Sequence, residues 1–446
     1  MMSRDEDKKI LQSLNAYAIP LIIQFFSNYI INLTDQAIIG RISAEAYGVI
    51  GIVNAFHNMI VGIVGCTTVS FNIRASRRKG KATGECIFRQ EFKSSIFLSG
   101  LIGILFLVFD NLFKKIILEK LYGFAGEGLE IGIRYFTIAS SYVLVQMLLF
   151  SYGQFFKIQN KTKYLLIGST ISAVLNVVLD YVLVFGKYGF PKLDVEGAAL
   201  ATILSMTVNL TILMFVSRHI VTYKTLRRSI ENRKKIFLIC RQQLIESLPL
   251  MGQELLEGSV FTVAIQSIIS RMGGIELSTY LILQQIIKFL YVPMNMYGSA
   301  VLTLTGRKLS EKNESYYRVP LLGGLISSIL YIIPGIVFIM FRAALPTIIT
   351  NDVKVIHMSI TLLPLAIICN AIKPACTIYK NAALSMGRSK FVLYSSAAVN
   401  AMILLVLFLR ACFLSSSLMG VFFCEMINNG ILFWIFYKKI MKQKKL

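Results

Sequence analysis

Twelve long apolar runs dominate this chain, and each is about the length that a helix needs to cross a bilayer. About 20 apolar residues span roughly 30 Å of hydrocarbon as α-helix, whereas barrel strands are short and alternate in polarity. The runs fall near 14–39, 47–73, 94–116, 131–156, 164–186 and 195–217, then near 244–272, 277–303, 319–341, 355–383, 391–411 and 416–437. The expected fold is an all-α integral membrane protein with twelve transmembrane helices. Several runs exceed 20 residues, which implies tilt or helix extending past the lipid. Composition agrees: 55% of residues are hydrophobic and 15% charged, against about 45–50% and about 25% in soluble domains.

The net charge of +23 would suggest nucleic acid in a soluble protein. Here the charge follows topology. Assigning Lys and Arg to alternate sides puts about 33 on the side of both termini and about 11 on the other, with Lys288 and Lys373 inside spans, the positive-inside asymmetry of a multi-pass protein. Both termini are therefore expected in the cytoplasm and the protein in the cell (inner, plasma) membrane. The clusters at 74–81, 227–235 and 438–445 attract anionic lipid head groups, and no nucleic-acid recognition motif accompanies them. The N-terminus reads as an uncleaved first span. The seven cysteines form no C-x-x-C, so neither a metal site nor a disulfide framework is indicated. Of three histidines, His57 lies mid-span, where it either relays protons or packs against a hydrogen-bond partner.

The two halves repeat. Pro20-Leu21 in the first span matches Pro249-Leu250 in the seventh, and Ile39-Gly40-Arg41 matches Ile269-Ser270-Arg271 to within one residue. Six spans per half give both repeats one orientation, so a pseudo-twofold axis along the membrane normal is expected, with a cavity between two bundles. The expected organisation is an N-terminal six-helix lobe over 1–217, a basic cytoplasmic linker over 218–243, and a C-terminal six-helix lobe with a basic tail over 244–446. A proline at matched depth removes a helix hydrogen bond, so Pro20 is either a moving hinge or a static bend.

Intramembrane acids point to function, because each costs roughly 2.5–3.5 kcal/mol to insert. Counted from the cytoplasm, Asp35 lies about 21 residues into span 1 and Asp180 about 16 into span 5, and Thr202 lies about 7 residues in from the outside. All three fall in the outer half of the membrane. Asn176 and Asp180 share one helix face by their spacing of four, as do Ala198 and Thr202. Carboxylate, amide, hydroxyl and carbonyl oxygens suit a proton or a hard cation such as Na⁺. Two carboxylates in a low-dielectric pocket cannot both stay ionised at low cost, so the site is expected to load and release an ion.

These residues carry a family resemblance. Pro20 with LTDQAIIGRI in span 1, NVVLDYVLVFG around Asn176 and Asp180, and GAALATILS around Ala198 and Thr202 resemble the MATE (multidrug and toxic compound extrusion) transporters over nearly the full length. The resemblance implies two six-helix lobes, alternating access, and efflux of a small organic solute, cationic or amphipathic, driven by inward Na⁺ or H⁺. It also implies a cation site at Asp35, Asn176, Asp180, Ala198 and Thr202. The same superfamily holds lipid-linked oligosaccharide and peptidoglycan-precursor flippases, the alternative reading, against which the acids of spans 1 and 5 count.

The C-terminal half departs from that pattern. Glu257 stands eight residues after Pro249, where relatives often have a glutamate, but Lys373-Pro374 stands near the place of a span 10 aspartate. Glu257 and Lys288 lie at similar depth and are expected either to pair or, with Glu254 and Lys373, to line a cavity for a polar or partly anionic solute. Tyr29 and Tyr152 are candidate aromatic lining, suited to organic cations. No Walker, H-E-x-x-H or G-x-S-x-G motif is present, so the chain reads as neither ATP-driven nor an enzyme, without a cofactor, and as a monomer.

Overall fold

With no water in the bilayer core, each spanning segment must satisfy its own backbone, and helix does so residue by residue. The computed structural model describes residues 2–40, 44–79, 84–220, 233–311, 314–350, 352–413 and 417–443; side chains at 27, 28, 30–40 and 44–47, with some at element ends, lie outside the description. Among the described residues there are sixteen α-helices and no strand. The first seven are α1 (Met2–Gly40), α2 (Ala44–Lys79), α3 (Gly84–Ile116), α4 (Gly126–Ala139), α5 (Tyr142–Ile158), α6 (Lys163–Phe185) and α7 (Asp194–Ile220). The rest are α8 (Arg233–Glu254), α9 (Thr262–Ser270), α10 (Gly274–Leu290), α11 (Val292–Ser310), α12 (Arg318–Met340), α13 (Val353–Cys369), α14 (Lys373–Ser385), α15 (Ser389–Phe413) and α16 (Leu418–Gln443).

Nine stretches of the described chain are long and apolar enough to cross a membrane, or ten when α10 and α11, bent by 49°, count as one. The other two expected spans correspond to α1 and to α8 with α9. In the latter the helix widens to a π-turn over Leu255–Phe261. Spans 4, 8 and 10 are broken: α4 passes to α5 at Ser140 and Ser141, α10 to α11 at Tyr291, and α13 to α14 over Asn370–Ile372. The last two breaks precede Pro293 and Pro374, whose rings cannot continue a preceding helical hydrogen-bond ladder.

The chain divides into two compact units. One joins Ile19–Ala75 with Ala82–Ser247, and the other joins Met1–Ala18 and Ser76–Lys81 with Leu248–Leu446. The division runs through α1 two residues before Pro20, the proline inside that helix.

In the first unit, Ser151 of α5 lies 2.8 Å from the hydroxyls of both Ser95 and Ser99 on α3, small polar residues that let the two helices approach closely. Toward the basic end of α2, Arg74 is 5% exposed and meets a fully buried Glu91 on α3. Its Nε donates to both Glu91 carboxylate oxygens at 3.1 and 3.0 Å, and its Nη2 to Oε1 at 3.0 Å. From α8, Glu246 and Gln242 accept from Arg74 at 2.5 and 2.7 Å, and Gln243 donates to Glu91 Oε2 at 2.8 Å. A buried guanidinium is tolerated because each of these bonds compensates its lost hydration.

In the second unit, the start of α1 docks on α11. Tyr17 reaches Thr303 at 3.1 Å, Tyr297 donates to Asn15 at 2.7 Å, and Lys308 bonds Glu6 at 3.3 Å. A hydrogen bond from Ser315, aided by Lys308, holds the Glu6 carboxyl below the usual carboxylate range, so this tie carries its full charge at neutral pH.

Candidate functional site: an acid-bearing helix pair and a polar cavity

In the first unit α6 ends at Gly186, whose φ of +65° is left-handed, a conformation that favours glycine. The turn closes with Leu193 N donating to Leu183 O at 2.9 Å, and the chain returns as α7. Gly197 then passes so near Leu183 that an added Cβ would lie 2.8 Å from its carbonyl oxygen. Farther along, Ser172 donates to Ser205 O at 2.7 Å. These two contacts set an antiparallel register in which Asn176 lies level with Thr202, and Asp180 level with Ala198.

Asp180 is 1% exposed, and Asn176 and Ala198 are buried with it. Thr202 donates its hydroxyl hydrogen to Ala198 O at 3.1 Å, which leaves the oxygen lone pairs of Thr202 as acceptors. The face thus gathers a carboxylate, an amide and a hydroxyl, donors suited to a hard monovalent cation or a proton. Asp35 lies on α1, but its side chain is outside the described residues. Among the described residues, no three His, Cys, Asp or Glu cluster as a metal site would require.

The second unit holds a cavity of about 500 Å³. Glu257, Lys288 and Lys373 all line it. Glu254 is exposed and is not part of the lining, while Tyr29 and Tyr152 belong to the other unit, where Tyr152 packs edge-on to Phe92 with centroids 5.3 Å apart. The expected Glu257–Lys288 pair does not form. Glu257 Oε2 instead accepts from Lys380 of α14 at 2.9 Å, and Lys288 reaches Gln285 at 3.5 Å. The π-turn explains the difference: widening the helix at Leu255–Phe261 turns Glu257 away from the face that regular α-helix would give it.

The two helix breaks meet at this cavity. Tyr291 donates to Asn370 Oδ1 at 2.6 Å, and Lys373 Nζ lies 4.4 Å from the centre of the Tyr291 ring, a cation–π contact. Behind them, Tyr280 donates to Glu425 at 2.7 Å. Three lysines and two glutamates therefore surround the space, with Asn400 and Asn428 completing a polar wall. Lys380, Glu425, Tyr280 and Asn370 carry no local motif and are absent from the sequence reading; only their being polar within apolar spans marks them.

The profile of the MatE family matches residues 20–182 and 249–409. A probable multidrug resistance protein NorM of Thermotoga maritima is 23% identical over 80% of this chain and 76% of its own length. The fold is shared with a MOP superfamily transporter from Pyrococcus furiosus, whose binding pocket is described as of reverse polarity (TM-score 0.83, 17% identity, 97% of this chain and 95% of that one). It is shared equally with a variant of the Vibrio cholerae MATE transporter VcmN (TM-score 0.83, 19% identity, 98% of each chain).

Proposed function

Because the chain belongs to the MATE family and is thus a membrane-embedded secondary exporter, we propose that it moves a small organic solute out of the cell in exchange for inward Na⁺ or H⁺. The observation that carries this reading is the α6–α7 face, where Asn176 and Asp180 lie level with Thr202 and Ala198 in a buried setting. An ion entering that face brings about 2.3 kcal/mol per 100 mV, enough for roughly fiftyfold accumulation of a coupled solute. Asp35, from α1, joins the same site, and both termini lie in the cytoplasm.

Solute chemistry follows from the cavity of the second unit. Aromatic Tyr291 and Phe261 suit amphipathic organic cations. Lys288, Lys373 and Lys380 opposite Glu257 and Glu425 favour a second reading, a zwitterionic or partly anionic solute. A hinge at Pro20 is supported by the division of α1 between Ala18 and Ile19, within two residues of the proline.

The test is ethidium export from proteoliposomes under separately imposed Na⁺ and H⁺ gradients, with wild type beside Asp180→Asn. Transport driven by one gradient and lost in the variant is expected, and identifies the ion. Wild-type export that persists undiminished in Asp180→Asn would remove the ion site.

A further inference from the structure

A second buried acid lies in the first unit, away from the α6–α7 face. His57 of α2 and Asp110 of α3 are 1% and 0% exposed, and His57 Nε2 stands 3.1 Å from Asp110 Oδ2. Phe136 of α4 packs on the imidazole with centroids 4.9 Å apart, with Phe56 at 5.8 Å and Tyr142 of α5 at 6.0 Å. The other two polar atoms, His57 Nδ1 and Asp110 Oδ1, are buried without a hydrogen-bond partner.

The ionisable groups of the surrounding helices are engaged elsewhere. Tyr142 donates to Asn58, Tyr135 of α4 donates to Asn54, and Lys114 of α3 donates to Thr137. Glu130 and Arg134 of α4 are exposed. Among the described residues, His57 is the one ion-pair partner of Asp110. With one labile proton, carried by either ring or carboxyl, the pair is neutral overall. Without it, a full negative charge is left against aromatic rings, and burying an uncompensated charge is costly.

We propose that His57 and Asp110 hold one exchangeable proton between them, a proton-carrying site separate from Asn176 and Asp180. Loading joins a proton from water to the anionic pair, and unloading returns it to water. Both steps need water to reach Nδ1 or Oδ1, which the aromatic wall now excludes. Phe56 and Phe136 of that wall belong to the apolar cluster that also contains Val184 and Ala198 beside Asp180. The same apolar cluster thus reaches from the wall around His57 to α6 and α7.

Infrared difference spectra of the full chain in phosphatidylcholine vesicles, taken between about pH 5 and about pH 8 where imidazoles titrate, test this directly. We expect a band that changes with pH, from the carboxyl C=O or the imidazolium according to which group carries the proton, that is altered in both Asp110→Asn and His57→Gln and is kept in Asp180→Asn. A pair serving structure alone would stay in one state, so the absence of any pH-dependent band, carboxyl or imidazole, from Asp110 or His57 overturns the proposal. So does a band lost in Asp180→Asn and kept in Asp110→Asn. Should the Asp110 variant fail to fold, ¹⁵N imidazole NMR of His219→Gln/His357→Gln leaves His57 as the sole histidine. An imidazole signal that titrates over the same range supports the site, and a constant one overturns it.

Discussion

Truncating Glu91 to alanine strips the buried Arg74 guanidinium of its best partner. Three of the bonds from Arg74, all between 3.0 and 3.1 Å, end on this one carboxylate. Removing one member of a buried pair costs about 3–5 kcal/mol. Gln242 and Glu246 remain to accept from Arg74 and compensate part of its charge. The loss should therefore sit near the lower bound, about 3 kcal/mol, or roughly a hundredfold in the folded-to-unfolded ratio. Glu91→Gln retains an acceptor and should lose about 1–2 kcal/mol, and Glu246→Gln less than about 1 kcal/mol. Arg74→Met with Glu91→Leu removes both charges and should recover most of the loss. Unfolding in mixed micelles by SDS titration, followed by far-UV circular dichroism, gives the ranking. The reasoning is refuted if Glu91→Ala lies within about 1 kcal/mol of the parent, or if the double variant is no better than the single one.

Two further substitutions probe the sites. Gly197→Ala places a methyl 2.8 Å from the Leu183 carbonyl; it should cost about 1–3 kcal/mol by forcing α6 from α7, and lower gradient-driven ethidium export. Parent-like stability and export would show that the helix pair tolerates the methyl. Glu257→Gln removes the partner of Lys380 in a partly solvated cavity, so stability should fall by about 1 kcal/mol or less. The ratio of fluorescein to ethidium export should rise, as one acid then opposes three lysines; an unchanged ratio would mean that the cavity does not select solute by charge.

Local spacing makes the face proposed to bind the ion readable from sequence. Asn176 with Asp180, and Ala198 with Thr202, need only the helix period to share a face, and the run lengths reveal the spans. The C-terminal cavity is less legible because its geometry depends on departures from that period. A π-turn reorients Glu257, and a break at Asn370–Ile372 precedes Lys373 and Lys380, so equal depth along ideal helices pairs Glu257 with the wrong lysine. Asp110 and His57, 53 residues apart, meet only through α2–α3 packing, as Tyr280 and Glu425, 145 apart, do through the packing of the second unit. Nothing within either short stretch announces its partner.

A π-turn can be regarded as an α-helix carrying one surplus residue. Over Leu255–Phe261 that surplus sits in the seventh span, in the stretch that carries Glu257. Shift the extra residue along the helix, or delete it, and everything on one side turns by about 100° relative to the other. Glu257 would then swing off Lys380, giving up their 2.9 Å ion pair and its hydrogen bond from Gln253 along with a step of the ladder. Chain length in this one segment, as much as the identity of its side chains, therefore decides which charge the cavity presents.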